Sequence, residues 1–487
     1  MVGRVAGLSA GAVALMLACG RGGPGPAGTD DTGTVPDAPE RPVIPGKGIY
    51  QKCDWEEQGW PAVEPGTLSG LVDIAELRQV NLPYSDTTFV LLDWNGDGLR
   101  DLVGFNSFVD MPAGDGYWAE LAFRQDWLAW PTPDPQEDAC GLILDEAFDY
   151  AEWVLTVDWN RDGFDDIVTG RHDDDPGTYA WQLGPFADRA TEYAPSYTVR
   201  NDFTDLLTIA VLGDVDDDGV TELLTAVAVE DEPYRVLVID PDDPVEAASE
   251  VDTVLQGGEY DVTSNAPVFG GDMDGDGVDD VVVRKGGGNI TYLVPGPISG
   301  FARTEDVATA SLRADDGYGL FGIGQSFGFD ANDDGYLDFA YGDSWGGDGT
   351  SENGQAWLFL GPMVGERSAS EAATAAFTAT TAGSDFGYQV DMSSDLDGDG
   401  ALDLSVAAYH WAEPETEGAL FIFYGPFGGQ YTTRDAGTLI VRADDANTWF
   451  PRTLLPAGDM DGDGFDDLWL GLSGSTGNQY LLFGAPR

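Results

Sequence analysis

A nine-residue segment in the middle of the chain reads Asp272-Met273-Asp274-Gly275-Asp276-Gly277-Val278-Asp279-Asp280. Its pattern has Asp first, Asp or Asn third, Asp fifth, Gly sixth and Asp or Glu ninth, and it occurs seven times. The seven loops begin at Asp93, Asp158, Asp214, Asp272, Asp330, Asp395 and Asp459. Successive starts lie 65, 56, 58, 58, 65 and 64 residues apart. A unit of about 60 residues is therefore repeated along the chain.

The polar residues of each loop predict a cation site. Side-chain oxygens at positions one, three and five of a tight turn converge on one point, and the glycine at position six permits the sharp turn. A backbone carbonyl at position seven and a carboxylate at position nine complete an oxygen cage that suits Ca²⁺ better than Mg²⁺. We therefore expect up to seven calcium sites. The expected ligands are Asp93, Asn95, Asp97, Leu99 and Asp101; Asp158, Asn160, Asp162, Phe164 and Asp166; Asp214, Asp216, Asp218, Val220 and Glu222; Asp272, Asp274, Asp276, Val278 and Asp280; Asp330, Asn332, Asp334, Tyr336 and Asp338; Asp395, Asp397, Asp399, Ala401 and Asp403; and Asp459, Asp461, Asp463, Phe465 and Asp467.

The EF-hand is the obvious alternative for such loops. That motif needs Glu at position twelve and helices on both sides. Position twelve is instead Gly104, Thr169, Thr225, Val283, Tyr341, Val406 and Leu470. The flanking segments, such as Phe89–Leu92 and Val281–Val283, are short β-branched or aromatic runs that are typical of strands. The loops are therefore predicted to join two strands.

Further strands follow in most units. A third apolar run, such as Ile290–Val294, often stops at Gly-Pro, and a fourth, such as Thr438–Val441, comes next. Four strands in each unit predict an all-β fold, a seven-bladed β-propeller of four-stranded blades over residues 67–487, with a calcium loop between the first two strands of each blade. The last unit lacks a fourth strand, so we expect residues 67–79 to supply the closing strand of blade seven.

The units resemble FG-GAP repeats, the blades of the integrin α-subunit β-propeller. Phe327-Gly328, Phe386-Gly387 and Gly484-Ala485-Pro486 match the elements that give this family its name, although the first three units match them poorly. The resemblance implies the same ligand positions in each loop. Asn95, Asn160 and Asn332 at position three and Glu222 at position nine depart from the usual Asp, so we expect these sites to differ in affinity.

The N-terminus predicts export. Residues 1–18 read as a signal peptide, and the run Met16-Leu17-Ala18-Cys19 resembles a bacterial lipobox, in which Cys19 would carry lipid; ordinary cleavage nearby is the alternative. Residues 19–48 are rich in Gly and Pro and predict a flexible tether, followed by a lead-in segment, 49–66. We expect an outer-membrane or cell-surface lipoprotein, or otherwise a periplasmic or secreted protein.

Two other cysteines remain, Cys53 and Cys140. In an oxidising compartment they could form one disulfide. The alternative is two unrelated buried thiols.

Charge narrows the function classes. The chain carries 87 Asp and Glu against 22 Lys and Arg, a net charge of −65. Nucleic acid and an anionic membrane face are excluded as partners, because both need basic residues. We expect no membrane contact beyond the lipid anchor, a monomer, and a protein or glycan ligand at the cell surface.

No catalytic constellation stands out. Gly324-Gln325-Ser326-Phe327-Gly328 fits the nucleophile elbow of hydrolases, but it lies in a predicted strand directly before a loop. His172 and His410 fall in different units. We therefore expect a calcium-stabilised binding or adhesion propeller and no enzyme. A lectin, or a lyase or hydrolase acting on carbohydrate, remains the alternative, because propellers host binding and catalysis alike.

Overall fold

The computed structural model of the chain describes 24 stretches between Gly70 and Arg487. They are residues 70–73, 78–81, 88–92, 101–111, 114–122, 141–143, 151–157, 159, 166–171, 177–183, 197–201, 203, 205–211, 213–228, 234–240, 245–257, 268–285, 290–315, 324–344, 353–411, 418–441, 450–460, 463–471 and 478–487. The predicted signal peptide, tether and lead-in segment, with Cys19, Cys53 and Cys140, lie outside the described residues.

Strands dominate the described residues, as the repeat predicts. They are β1 Gly70–Asp73, β2 Arg78–Asn81, β3 Thr88–Leu92, β4 Asp101–Met111, β5 Gly114–Ala122, β6 Gly141–Ile143, β7 Ala151–Val157, β8 Asp166–Arg171, β9 Gly177–Gln182, β10 Tyr197–Asn201, β11 Asp205–Val211, β12 Leu223–Ala228, β13 Arg235–Ile239, β14 Val254–Gln256, β15 Val268–Gly271, β16 Asp280–Lys285, β17 Ile290–Val294, β18 Phe301–Arg303, β19 Ala310–Arg313, β20 Gln325–Phe329, β21 Asp338–Asp343, β22 Gln355–Phe359, β23 Gly365–Ser368, β24 Ala375–Thr378, β25 Phe386–Ser394, β26 Asp403–Ala408, β27 Ala419–Phe423, β28 Gly429–Thr432, β29 Thr438–Val441, β30 Thr453–Gly458, β31 Asp467–Gly471 and β32 Asn478–Leu482.

Helical structure within the described part is confined to single turns. These are α1 Thr304–Val307, α2 Ala369–Ala372 and the 3₁₀ turns Ala248–Glu250 and Thr433–Asp435. None of these turns has the length or apolar character that a membrane-crossing helix needs.

The strands pair into seven sheets, numbered here along the chain. Sheet 1 is β3–β6, sheet 2 is β7–β10, sheet 3 is β11–β14 with β18, sheet 4 is β15–β17, β19 and β23, sheet 5 is β20–β22, β24 and β28, sheet 6 is β25–β27, β29 and β1, and sheet 7 is β30–β32 with β2. The first four strands of each sheet run antiparallel, like the hairpins that the loops predict.

Buried clusters join neighbouring sheets. Strand β12 explains how, because its side chains alternate between the two faces of the sheet. Leu223 and Val227 face the cluster shared with sheet 2, whereas Leu224 and Ala226 face the cluster shared with sheet 4. Each central strand is therefore apolar on both faces, which is why its sequence reads as a continuous apolar run.

Five such clusters unite six blades, sheets 2 to 7. The predicted all-β propeller is confirmed. Buried side-chain clusters among the described residues thus unite six blades, not the expected seven. Sheet 1 is described by its strand pairing alone.

The blades also depart from the expected four strands, because four sheets have five. The extra strand is short and pairs in parallel with the outer edge of the preceding blade. Thus β18 pairs with β14, β23 with β19 and β28 with β24. It belongs in sequence to the next blade, so it links the rims of two successive blades and covers an edge that would otherwise be open.

The N-terminal segment completes the last two sheets. Strand β2 pairs antiparallel with β32 of sheet 7, and β1 pairs in parallel with β29 of sheet 6. The repeat pattern predicts that residues 67–79 form the outer strand of blade seven. That strand is instead Arg78–Asn81, and Gly70–Asp73 forms the fifth strand of sheet 6.

Candidate metal centre

The acidic loops join the first two strands of each sheet. The third to sixth loops are fully described, from Asp214–Glu222 between β11 and β12 to Asp395–Asp403 between β25 and β26. Of the predicted ligands, Asp93, Asn95, Asp97, Leu99, Asp158, Asn160, Asp162, Phe164 and Asp461 lie outside the described residues. Asp101 and Asp166 begin strands β4 and β8.

The third loop shows how the backbone organises the carboxylates. The two oxygens of Asp214 accept hydrogen bonds from the backbone N–H groups of Asp218 (3.0 Å) and Gly219 (2.8 Å). Asp216 accepts from Asp218 N–H at 3.2 Å, and Asp218 accepts from Val220 N–H at 2.8 Å. Each bond turns the chain about its own acidic residue, so the sequence itself coils the loop around its carboxylates.

The same bonds recur in the other described loops. Position one accepts from the N–H of position six in Asp272–Gly277 (3.0 Å), Asp330–Gly335 (2.8 Å), Asp395–Gly400 (2.9 Å) and Asp459–Gly464 (2.9 Å). The glycine at position six has a positive φ, for example 93° at Gly277, a conformation that side chains rarely adopt. This accounts for the glycine in all seven copies.

Three loops bring their carboxylates within 4.8 Å of one another. They are Asp214, Asp216, Asp218 and Glu222 in the third loop, Asp272, Asp274 and Asp276 in the fourth, and Asp395, Asp397 and Asp399 in the sixth. In the fifth loop Asn332 holds position three, and its side-chain N–H donates to Asp334 at 2.9 Å.

Position nine has a different environment. In the fourth to seventh loops one carboxylate oxygen accepts from the N–H of position two and the other from a glycine N–H that follows the third strand. The first bonds are Asp280 to Met273 (2.9 Å), Asp338 to Ala331 (2.7 Å), Asp403 to Leu396 (2.9 Å) and Asp467 to Met460 (2.7 Å). The second are to Gly296 (3.0 Å), Gly361 (2.8 Å), Gly425 (3.0 Å) and Gly484 (2.8 Å). These residues tie the loop to the third strand, and their role as metal ligands stays a prediction.

Glu222 is the exception at position nine. One of its oxygens accepts from Val215 N–H at 2.7 Å, but the other is buried without a hydrogen-bond partner. The side chain is fully buried and belongs to the carboxylate cluster of the third loop. Burial raises the pKa of Glu222 to about 8. A buried oxygen without a partner is costly unless a cation or a proton meets it.

Burial and charge repulsion raise the pKa values of carboxylates in these clusters. Burial, and then repulsion from Asp218, raises the pKa of Asp216 above its ordinary value. Burial and repulsion from Asp276 do the same for Asp274. Like charges held close together disfavour each other's ionised form, and a bound cation removes that strain. The donor set of hard carboxylate oxygens, which includes Glu222 with its one unpartnered buried oxygen, fits a Ca²⁺ ion.

Neighbouring loops touch one another. Asp279, at position eight of the fourth loop, accepts from the N–H of Asp214 in the third loop at 2.8 Å. Asp466 accepts in the same way from Asp395 N–H at 2.8 Å, linking the seventh loop to the sixth. The loop motif does not predict this role for position eight, although an Asp at that position of the second, fourth and seventh loops is a signal in the sequence.

The opposite ends of the strands hold no comparable carboxylate cluster among the described residues. Ser326 lies on β20, buried, and its Oγ accepts from Met392 N–H at 3.1 Å, so the Gly-x-Ser-x-Gly match sits in a strand pair. His410 pairs through Nδ1 with Asp385. Trp411 is buried against Phe421 and serves the core of the sixth blade.

Comparison with known proteins gives a fold likeness and no family. No protein-family model matches the chain, and no curated protein matches it. The crystal structure of BBS1N in complex with ARL6DN, soaked with mercury, aligns over 69% of this chain and 91% of that chain, with 11% identity and a TM-score of 0.34. The crystal structure of the V. cholerae biofilm matrix protein Bap1 aligns over 59% of this chain and 41% of that chain, with 14% identity and a TM-score of 0.30. At these scores the likeness carries no argument about function.

Proposed function

We propose that this chain is a calcium-stabilised propeller that acts as a binding or adhesion module outside the cytoplasm. The observation that carries the proposal is the third loop, where Glu222 lies in a cluster with three aspartates and has one buried oxygen without a hydrogen-bond partner. Calcium would be held by positions one, three and five of each loop, with the carbonyl at position seven. Its charge would relieve the repulsion within each cluster.

We further propose that sheet 1 is a seventh blade and that the ring is closed. Strand β3 of sheet 1 contacts β7 of sheet 2. On its other side the chain passes from β2, in sheet 7, to β3 through only six residues, 82–87. That length resembles the seven residues, 379–385, between β24 and β25, which join two adjacent blades. Strand β3 of sheet 1 is therefore connected to both of the blades that would flank it in a seven-bladed ring.

The binding role, the location and the partners rest on the sequence. The lipobox-like Cys19 and the tether that follows support a lipoprotein held at the outer membrane or cell surface, or otherwise a periplasmic or secreted protein. The resemblance to FG-GAP repeats supports adhesion to a protein or glycan by a monomer, and the absence of a catalytic constellation in the sequence supports binding over catalysis. The net charge of −65 disfavours nucleic acid.

Calcium removal tests whether calcium stabilises the propeller. Each site at ten times its dissociation constant would add about 1.4 kcal/mol to the free energy of unfolding. We expect EDTA to lower the melting temperature markedly, excess Ca²⁺ to restore it, and Mg²⁺ to restore it only in part. A melting curve that is the same in EDTA and in 1 mM Ca²⁺ (about the dissociation constant of extracellular sites) contradicts the proposal.

Ligand screening tests the proposed binding or adhesion role. The mature chain would be applied to a glycan array and to immobilised surface proteins, in Ca²⁺ and in EDTA, and assayed in parallel for turnover of polysaccharides. Calcium-dependent protein binding supports adhesion, and binding to defined glycans identifies a lectin. Release of sugar products identifies a carbohydrate-active enzyme and overturns the proposed binding role.

A further inference from the structure

A protein side chain already lies among the carboxylates of the sixth loop. The guanidinium of Arg487 contacts Asp397 Oδ2 through Nε, and its Nη2 donates to Asp399 Oδ2 at 2.7 Å. Asp397 and Asp399 stand at positions three and five of the loop. The guanidinium also lies over the ring of Tyr424, with Cζ 4.6 Å from the ring centre. It thus has one aromatic and two carboxylate partners.

The third and fourth loops differ from the sixth in their ion pairs. Their carboxylates have the same backbone hydrogen bonds as those of the sixth loop. Within the described part of the chain, however, no ion pair reaches Asp216, Asp218, Asp274 or Asp276. Of these three clusters, the one in the sixth loop has its negative charge balanced by a side chain of the protein, Arg487.

The backbone that carries Arg487 is held independently of its side chain. Gly484 N–H donates to Asp467 Oδ1 at 2.8 Å, and Ala485 N–H donates to the carbonyl of Leu396 at 2.9 Å. Leu396 is position two of the sixth loop, so the segment docks on that loop. Asp397 exposes only 1% of its side chain, whereas Arg487 exposes 46%. A buried carboxylate needs a counter-charge, and a half-exposed arginine can leave without unfolding the segment.

We propose that Arg487 is a built-in counter-ion of the sixth loop, which competes with the metal for Asp397 and Asp399. This inference rests on the proposed calcium function. A calcium ion at this loop must displace the guanidinium, whereas no described side chain has to leave the third or fourth loop. The sixth loop is therefore a weaker site than the third and fourth loops, and it keeps its shape without calcium. In the absence of metal, Arg487 holds blade seven against blade six.

Calcium titration by calorimetry, on the full mature chain and its Arg487→Ala variant, tests the inference. We expect the variant to bind with one site tightened about tenfold, or with one more site in the measurable range. Arg487→Lys should fall between the two, because its ammonium keeps the charge but loses the two-pronged contact. Arg313→Ala, which removes an exposed positive charge on β19, is the matched control and should leave the isotherm unchanged.

Thermal melting provides the second readout. Arg487→Ala should melt lower than the parent chain in EDTA, and the difference should vanish in saturating Ca²⁺, since the metal then supplies the counter-charge. Calcium isotherms that coincide for parent and variant, or a loss of stability that is equal in EDTA and in Ca²⁺, overturn the inference while leaving the calcium function intact. If neither chain takes up calcium, the proposed function falls and this inference falls with it.

Discussion

At the scale of single residues, position nine separates two kinds of carboxylate. Asp280 uses both oxygens to accept backbone N–H groups, whereas the longer Glu222 leaves one oxygen buried and without a partner. Position nine therefore holds two kinds of carboxylate: Asp280 uses both oxygens to brace the loop, whereas Glu222 keeps one oxygen that can meet a cation. The raised pKa of Glu222, about 8, means that a metal at this loop would displace a proton near neutral pH.

The first prediction concerns Glu222→Gln. The amide oxygen can still accept from Val215 N–H, and the variant lacks the charge that burial disfavours. We expect unchanged or higher melting temperature in EDTA at pH 8, with calcium affinity at one site about tenfold weaker, as measured by calorimetry. Unchanged calcium affinity would remove Glu222 from the ligand set.

Asp280→Asn is the matched comparison at position nine of the fourth loop. Its amide nitrogen would face a backbone donor, since both oxygens of Asp280 accept such donors. We expect it to lower the free energy of unfolding by about 1–3 kcal/mol in EDTA and in calcium alike. Stabilisation of this variant in EDTA would show that the two residues have the same role.

The second prediction concerns pH and Asp391 on β25. Its carboxylate is fully buried and accepts from Ser393 N–H, Ser393 Oγ and Ser394 Oγ. Burial outweighs these bonds and raises its pKa to about 6 from an ordinary 3.8. A raised pKa means that the folded state binds the proton more tightly than the unfolded chain. The stability from this group is therefore complete below pH 3.8 and is lost as the pH rises through about 6.

Asp391→Asn should remove that dependence. The shift corresponds to roughly 3 kcal/mol between acid and neutral pH, so the gain of the variant over the parent should grow from pH 4 to pH 7 in urea unfolding in EDTA. Asp435→Asn is the control of opposite sign, because the N–H and Oγ of Thr432 lower the pKa of Asp435. The stability that the Asp435 carboxylate contributes to the parent chain is present at neutral pH and is lost in acid. A constant difference for Asp391→Asn across this range would contradict the prediction.

The sequence predicts the loop itself, but it does not predict the contacts of every residue in the loop. In the third, fourth and sixth loops the carboxylates at positions one, three and five lie within 4.8 Å of one another, and local hydrogen bonds to those side chains build each turn. The environment of position nine depends on Gly296 and its equivalents, which follow a strand later in the sequence. Arg487 lies 88 residues from Asp399, so no local pattern could connect them.

At the scale of elements, the loops form linked pairs. Asp279 accepts from Asp214 N–H, and the N–H of Asp279 donates to the carbonyl of Asp214 at 3.1 Å. Asp214 is position one of the third loop, while Asp279 is outside the ligand positions of the fourth. A change at Asp279 in the fourth loop would therefore reach Asp214, a predicted ligand of the third loop.

The third prediction follows from this link. Asp279→Ala should cost about 1 kcal/mol of unfolding free energy and weaken calcium binding at two sites rather than one. Calorimetry would detect both. Asp252→Ala, which removes an exposed carboxylate elsewhere in the third blade, controls for the loss of charge. An Asp279→Ala isotherm that matches this control would show that the loops bind independently.

Element-scale prediction from sequence was accurate where strands are apolar on both faces. The expected strands Ile290–Val294 and Thr438–Val441 match β17 and β29. The parallel fifth strands were missed, because β18, β23 and β28 have three or four residues and little apolar patterning. Their pairing depends on the rim of the preceding blade, which a single segment cannot reveal.

At the scale of the whole molecule, the spacing of strands shows how the two ends complete one blade. Between the third strand of a blade and its rim strand lie residues 295–300 in sheet 4, 360–364 in sheet 5 and 424–428 in sheet 6. After β32 the chain continues for five residues, 483–487. Joined there, β1 would follow β32 after five residues, as β23 follows β22, and β2 would follow β1 after four residues, where β24 follows β23 after six.

The fourth prediction is that this junction can be made covalent. A circular permutant that begins at residue 82, runs to Arg487 and continues with residues 70–81 should fold, keep its calcium response and unfold in one cooperative step. A chain of residues 82–487 alone leaves β32 and β29 with open edges, so it should melt lower and aggregate. Melting and size-exclusion chromatography distinguish the two variants. If the shortened chain is as stable and monodisperse as the permutant, β1 and β2 do not close the propeller.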